Sequence, residues 1–298
     1  MIGRPVISEG HLGNLRRNRR IDPHDSRLLD FLLDVAYWAD DGDSRLPSEE
    51  FQQWPEDDVR AFMECQLGLG SERKVPAILC VHHDEVLYHC EELARRQLLT
   101  KPFDLVHVDA HGDMGTGDSG WMEILERAAS PDAVRRCLTT DCCNRIGIGN
   151  YVSYMALLRM PSSLTYVHNP ASCDDLFQGF LNGDRTLMRI PVWSDDENAF
   201  DDAKHVVLMN PARSLYSFEF GLRRERTIPF SKTPADDFCA KEPFDIAFLA
   251  QSPNYTPVES DEVIEVLGDY LDFEEGRPWL QFEDRFSDAR MLMNRVFA

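Results

Sequence analysis

Residues 103–113 read FDLVHVDAHGD, an apolar, β-branched run that ends in three ionisable side chains at alternate positions. Phe103, Leu105, Val106 and Val108 have the character of a strand inside a sheet. Asp109, His111 and Asp113 follow at once, and their charges need partners where that strand ends. Alternate side chains of an extended backbone share one face, so two carboxylates and an imidazole can converge on one point, with Gly112 leaving room for a turn. Mixed oxygen and nitrogen donors suit a divalent ion of the Mn²⁺ kind. The competing reading is a salt-bridged loop.

The segment before this one has the same form. VPAILCV (75–81) is short and apolar, and EVLYHCEELARRQLL (85–99) has helical period, so the region reads strand, helix, strand. Such alternation predicts an α/β fold with a mostly parallel sheet and right-handed crossovers. Ligands of open α/β sheets sit beyond the carboxyl ends of the strands, where both HHDE (82–85) and DAHGD (109–113) lie. If these two strands are neighbours, His82 and His83 face the same pocket as the aspartates.

The rest of the chain extends the pattern. Helical spacing over 23–38 (PHDSRLLDFLLDVAYW) predicts a helix and makes 1–70 an N-terminal helical layer of a single domain, 1–298. Helices are expected at 120–136, 150–160 and 258–272, with a short one at 173–181. Strands are expected at 163–168, 187–193 and within 243–257, which ends in a polar loop, and a hairpin over 205–221 turns at Asn210-Pro211.

Composition narrows the partners. The 298 residues carry a formal charge of −21, from 31 basic and 52 acidic residues, a field that repels nucleic acid and anionic membrane and favours cationic ligands. The cluster Arg16, Arg17, Arg19 and Arg20 reads as a solvated segment rather than a binding arm. No run has the length of a membrane span and the first residues lack a signal-peptide core, so a cytoplasmic protein is expected. The eight cysteines form no CxxC pair, and Cys80 and the others are expected as buried small hydrophobes without a structural disulfide. The loop GTGDSG (115–120) lacks the lysine of a phosphate-binding loop.

VDAHGD (108–113) resembles the Asp-Ala-His-x-Asp signature of the arginase and deacetylase superfamily, in which that motif and an upstream histidine hold one or two metal ions. Together with VHHDEVLYHC, HVDAHGDMGTGDSGW, GNYVSYMALLRM and FLAQSPNYTP, it makes roughly residues 75–270 similar to the peptide arginases. The resemblance implies a three-layer αβα fold and a manganese-dependent hydrolase that converts arginine residues of a ribosomally made precursor peptide to ornithine, releasing urea. It makes His83 the upstream metal ligand, with His82 beside it able to exchange roles, and Asp109, His111 and Asp113 the motif ligands. His111 and Asp113 are also the expected catalytic residues.

Ordinary arginases complete a two-ion site with a later Asp-x-Asp pair, from which this chain departs. The nearest candidates are Asp195 and Asp196, which follow the strand-like LMRIPVW, and Glu219. Two Mn²⁺ ions sharing a water would supply hydroxide for attack on the guanidinium carbon, and Asp113 would carry the proton to the leaving nitrogen. Asp118 and Gln251 are candidates for holding the guanidinium and Tyr255 for the peptide rim. Each has a plainer alternative: Asp118 as a helix N-cap, Gln251 as a loop hydrogen-bonder, Tyr255 as a packed aromatic. Two further readings stand beside this one: a hydrolase of free arginine, agmatine or another guanidino or amide substrate, and a non-catalytic metal-containing module that binds peptide.

Overall fold

The computed structural model describes residues 27–32, 54–114, 146–170, 176, 181, 184–192, 204–206, 223–252, 256 and 260–273. Nine strands lie among them: β1 (Arg27–Leu32), β2 (Val75–Cys80), β3 (Phe103–Asp109), β4 (Pro161–His168), β5 (Leu187–Val192), β6 (Lys204–Val206), β7 (Arg223–Pro234), β8 (Ile246–Ala250) and β9 (Leu271–Asp272). The helices are α1 (Glu56–Ala61), continued by a π turn over Phe62–Gln66, then α2 (Glu85–Arg95), α3 (Tyr151–Leu157) and α4 (Asp261–Leu267).

The strands form one sheet in the order β5-β7-β4-β3-β1-β8-β2-β9, with β6 also paired to β7. Every pairing from β7 through β9 along that order is parallel; β5 and β6 join β7 antiparallel. Period-two alternation then sorts the core into two halves. Leu28, Ile78, Phe103, Leu105, Leu164, Ile246 and Phe248 pack with α2 and α3 on one face. Leu29, Phe31, Ala77, Leu79, Val106, Val108 and Leu249 pack with α1 and α4 on the other. Helices on both faces of a mostly parallel sheet make this an α/β fold. No helix among the described residues is long and apolar enough to cross a membrane.

The strand–helix–strand unit at 75–109, helix 151–157 and strands 161–168, 187–192 and 246–250 fall where the sequence places them. Three expectations are corrected. Within the helix expected over 23–38, residues 27–32 are β1, pairing in parallel with β3 on one side and β8 on the other. A central strand is buried on both faces, so RLLDFL is a near-continuous apolar run whose spacing also satisfies a helix. The helix expected over 258–272 stops at Leu267, and the chain turns at Gly268 to form β9 beside β2. Strands β2 and β3 are not neighbours, because β1 and β8 lie between them. The twelve-residue β7, a polar run with two prolines and no strand signal in the sequence, pairs with β4 on one side and β5 and β6 on the other. The helices expected at 120–136 and, for the most part, 173–181, and the turn at Asn210-Pro211, lie outside the described residues.

Candidate metal centre

Beyond the carboxyl ends of β2, β3 and β8 three side chains meet. His83, Asp109 and Asp113 each offer a ligand atom, and the three atoms lie within 4.8 Å of one another. His83 Nδ1 is 3.2 Å from Asp113 Oδ2 and 3.8 Å from Asp109 Oδ2. Asp109 is fully buried, and His83 and Asp113 are each 4 % exposed.

The chain reaches this arrangement by turning. The His111 backbone N–H donates to Asp109 Oδ1 at 3.0 Å, an Asx turn that ends the strand. Asp113 then adopts φ 48°, in the left-handed region that aspartate tolerates better than most residues. The motif loop is tied down from two sides: Tyr166 Oη donates to the Ala110 carbonyl at 2.9 Å, and Ser153 Oγ donates to the Met114 carbonyl at 2.9 Å. Because the backbone turns rather than continuing extended, Asp109 and Asp113 converge while the half-buried His111 imidazole lies outside their group.

His83 arrives from a different direction. Strand β8 lies next to β2, and Ser252, just past its end at φ 54°, is hydrogen-bonded through Oγ to His83 Nε2. With Nε2–H donating to Ser252, Nδ1 presents its lone pair to the two carboxylates, as a cation between them requires. Thr256 Oγ1 closes the loop behind by donating to the Gln251 and Ser252 carbonyls at 2.8 and 2.9 Å. The histidine that meets the carboxylates is therefore His83, with His82 half-buried and outside the group.

Under Asp109 lies a buried chain of ionisable groups. His107, two residues earlier on the same face of β3, is 3.0 Å from Asp30 Oδ2 through Nδ1 and 3.3 Å from Asp109 Oδ2 through Nε2. Its Nε2 also approaches the His111 carbonyl at 3.2 Å, and Tyr151 Oη donates to Asp30 Oδ2 at 2.6 Å. Desolvation works against the charged imidazolium, yet its hydrogen bonds to the Asp109 and Asp30 carboxylates overcome it and hold the His107 pKa well above the ordinary value. Both ring nitrogens then donate, and the cation fixes Asp109 in place.

Compared with known protein families, curated proteins and solved structures, the chain matches none. The donor chemistry itself fits a divalent cation. One imidazole nitrogen and two carboxylates, buried and converging, form a mixed N,O set suited to ions such as Mn²⁺. Such a cation would also offset the negative charge that Asp109 and Asp113 place together.

Of the other residues expected at the site, Gln251 is 1 % exposed just beyond β8, where its backbone N–H donates to the Cys80 carbonyl at 3.0 Å. Asp118, Asp195, Asp196, Glu219 and Tyr255 lie outside the described residues. Ser252, His107, Asp30 and Tyr151 are participants that the sequence reading missed. His107 carried one usable signal, its shared parity with Asp109 on a single strand face.

Ser252→Ala removes the partner of His83 Nε2 and lowers Mn²⁺ affinity by roughly 10–100-fold, read by isothermal titration; an unchanged affinity would remove Ser252 from the site. Asp84, in the same loop as His83, is pushed up to about 6, chiefly by burial and against the pull of His82. Its folded pKa is raised, so the stability it contributes is present below about 4 and lost as pH rises through about 6. Asp84→Asn should therefore stabilise the protein at pH 7 relative to pH 4 by up to about 3 kcal/mol, measured by urea unfolding at both pH values.

Proposed function

We propose that the chain is a metal-dependent hydrolase of the arginase type, acting in the cytoplasm on arginine residues of a precursor peptide to give ornithine and urea. The observation that carries this reading is the buried convergence of His83, Asp109 and Asp113 at the carboxyl end of a parallel sheet. The resemblance of VDAHGD to the arginase signature supplies the reaction class, and the charge of −21 favours a cationic substrate.

His83, Asp109 and Asp113 would hold a Mn²⁺ ion, and Asp195 and Asp196 are the proposed ligands of a second. Bound there, such an ion acidifies water near neutral pH and stabilises charge that develops in the transition state. The chain's own groups do the rest. His107, braced by Asp30 and Tyr151, keeps Asp109 oriented, so little reorganisation is needed as the reaction proceeds. Gln251 and Asp118 would present oxygens to the N–H fork of the guanidinium. Asp113 would take the proton released by water and deliver it to the side-chain nitrogen that leaves. The water oxygen bonds to the guanidinium carbon, the bond from that carbon to the side-chain nitrogen breaks, and urea departs from an ornithine amine.

The test is mass spectrometry of arginine-containing peptides incubated with the Mn²⁺-loaded protein, beside free arginine, agmatine and an acetylated lysine peptide. Loss of one CH₂N₂ unit per modified arginine, with urea released, supports the reading. Turnover of free arginine or agmatine alone moves the substrate, and acetate release moves the reaction. Tight peptide binding without any mass change would leave the chain a metal-containing binding module.

A further inference from the structure

A second group of donors flanks residues 81–84, the loop that carries His83. Cys80 is the last residue of β2, Glu85 the first of α2, and His89 stands one turn further along. Their thiol, carboxylate and imidazole atoms all lie within 4.8 Å of one another. We propose that Cys80, Glu85 and His89 form a distinct cation site of zinc type, sharing no ligand with the His83–Asp109–Asp113 group.

Three features carry this assignment. The first is the donor set: thiolate, imidazole and carboxylate together are a Zn²⁺ combination, whereas the thiolate-free first group suits a harder ion. The second is placement. Residues four apart share a helix face, so Glu85 and His89 both face the strand end that presents Cys80. Zinc–ligand distances of about 2.0–2.3 Å put tetrahedral donors roughly 3.3–3.8 Å apart, which donors already within 4.8 Å reach by small side-chain rotations. The third is that the ligands are pre-oriented. Glu85 Oε2 accepts the Val81 N–H at 3.2 Å, and the His89 ring stacks on Phe248 with centroids 6.1 Å apart and planes at 24°.

Cys80 is fully buried and His89 is 1 % exposed, while Glu85 is half-buried at the edge of the group. A dication bound there would take the thiolate and carboxylate charges as ligands beside the apolar Val86, Leu87 and Phe248. Such an ion clamps the end of β2 to the first two turns of α2 and so fixes the intervening residues 81–84. Where the first group is the catalytic centre, this clamp also positions His83; the zinc-type site itself does not depend on that reading.

The experiment uses the full chain, stripped with chelator and reloaded with Co²⁺ for absorption spectroscopy and Zn²⁺ for X-ray absorption. The expected result is a thiolate-to-cobalt charge-transfer band and a sulfur neighbour in the zinc shell, both in the wild type and in Asp109→Asn. Cys80→Ser should abolish both signals, and His89→Gln should lower affinity at least about tenfold. A folded wild type without either signal overturns the proposal, as does a signal unchanged in both variants, which would assign it to another cysteine. Should Cys80→Ser fail to fold, Glu85→Gln, at the half-buried edge, is expected to show the same tenfold loss, and an unchanged affinity there overturns the proposal too. Loss of arginine hydrolysis with these metal signals intact would count against the proposed function alone.

Discussion

Asp109→Asn should lower Mn²⁺ affinity by more than about 100-fold, with any hydrolytic turnover falling alongside, and should cost stability as well because His107 loses one of its two carboxylates. Removing a residue that merely orients a ligand already costs about 10–100-fold, and Asp109 supplies a ligand atom itself. The substitution is nearly isosteric, and the introduced amide can keep the oxygen that accepts the His111 N–H. Its other terminus is then an N–H₂ group facing His107 Nε2 and His83 Nδ1, which the native carboxylate oxygen approaches at 3.3 and 3.8 Å. A donor replaces an acceptor at the point where three groups converge, and one unit of negative charge is lost. Titration calorimetry with Mn²⁺, paired with circular dichroism to show that the fold persists, checks the result. Wild-type affinity in this variant would refute the metal centre as drawn.

The second large effect is on stability. Asp30→Ala is expected to destabilise the protein by about 3–5 kcal/mol, because it strips a fully buried imidazolium of one of its two carboxylates. Tyr151 Oη loses its acceptor in the same step. Urea unfolding measures the difference, and a loss below ~1 kcal/mol would mean that His107 is not held as a cation. The pH dependence supplies a second check. The folded pKa of His107 is raised, so the stability it contributes is complete below about 6.5 and is lost as pH rises through the folded value. The metal-free wild type should weaken on the alkaline side, and Asp30→Ala should weaken less steeply over that range. Replacing Asp30 and His107 together by apolar residues should recover part of the loss, since the penalty lies in the orphaned charge rather than in the missing contact.

These two predictions rest on residues of unequal legibility. Asp109 and Asp113 stand out because charges at the end of an apolar run need a partner, and the repeated strand–helix–strand pattern places them at a sheet's carboxyl edge. Asp30 is hidden, because a strand buried on both faces shows no alternation and RLLDFL fits a helix equally well. Ser252 is hidden for another reason. The assumption that β2 and β3 are neighbours brings His83 straight to the aspartates, whereas the actual order puts β1 and β8 between them. The residue that braces His83 therefore comes from a segment 169 positions away. β7 escapes because RRERTIPFSKTP is polar and holds two prolines, and it becomes a strand by pairing on both sides.

The strand order has a consequence for how the chain is made. β8, from residues 246–250, is inserted between β1 and β2, from residues 27–32 and 75–80. A growing chain on the ribosome has already displayed both of those early strands, each with a hydrogen-bonding edge that stays open until the late strand emerges. Such edges invite pairing with other chains, and closing contacts this distant in sequence is slow. Because Ser252 follows directly on β8, His83 gains its brace only when that insertion is complete, so high-affinity cation uptake at this centre would report the end of folding rather than initiate it.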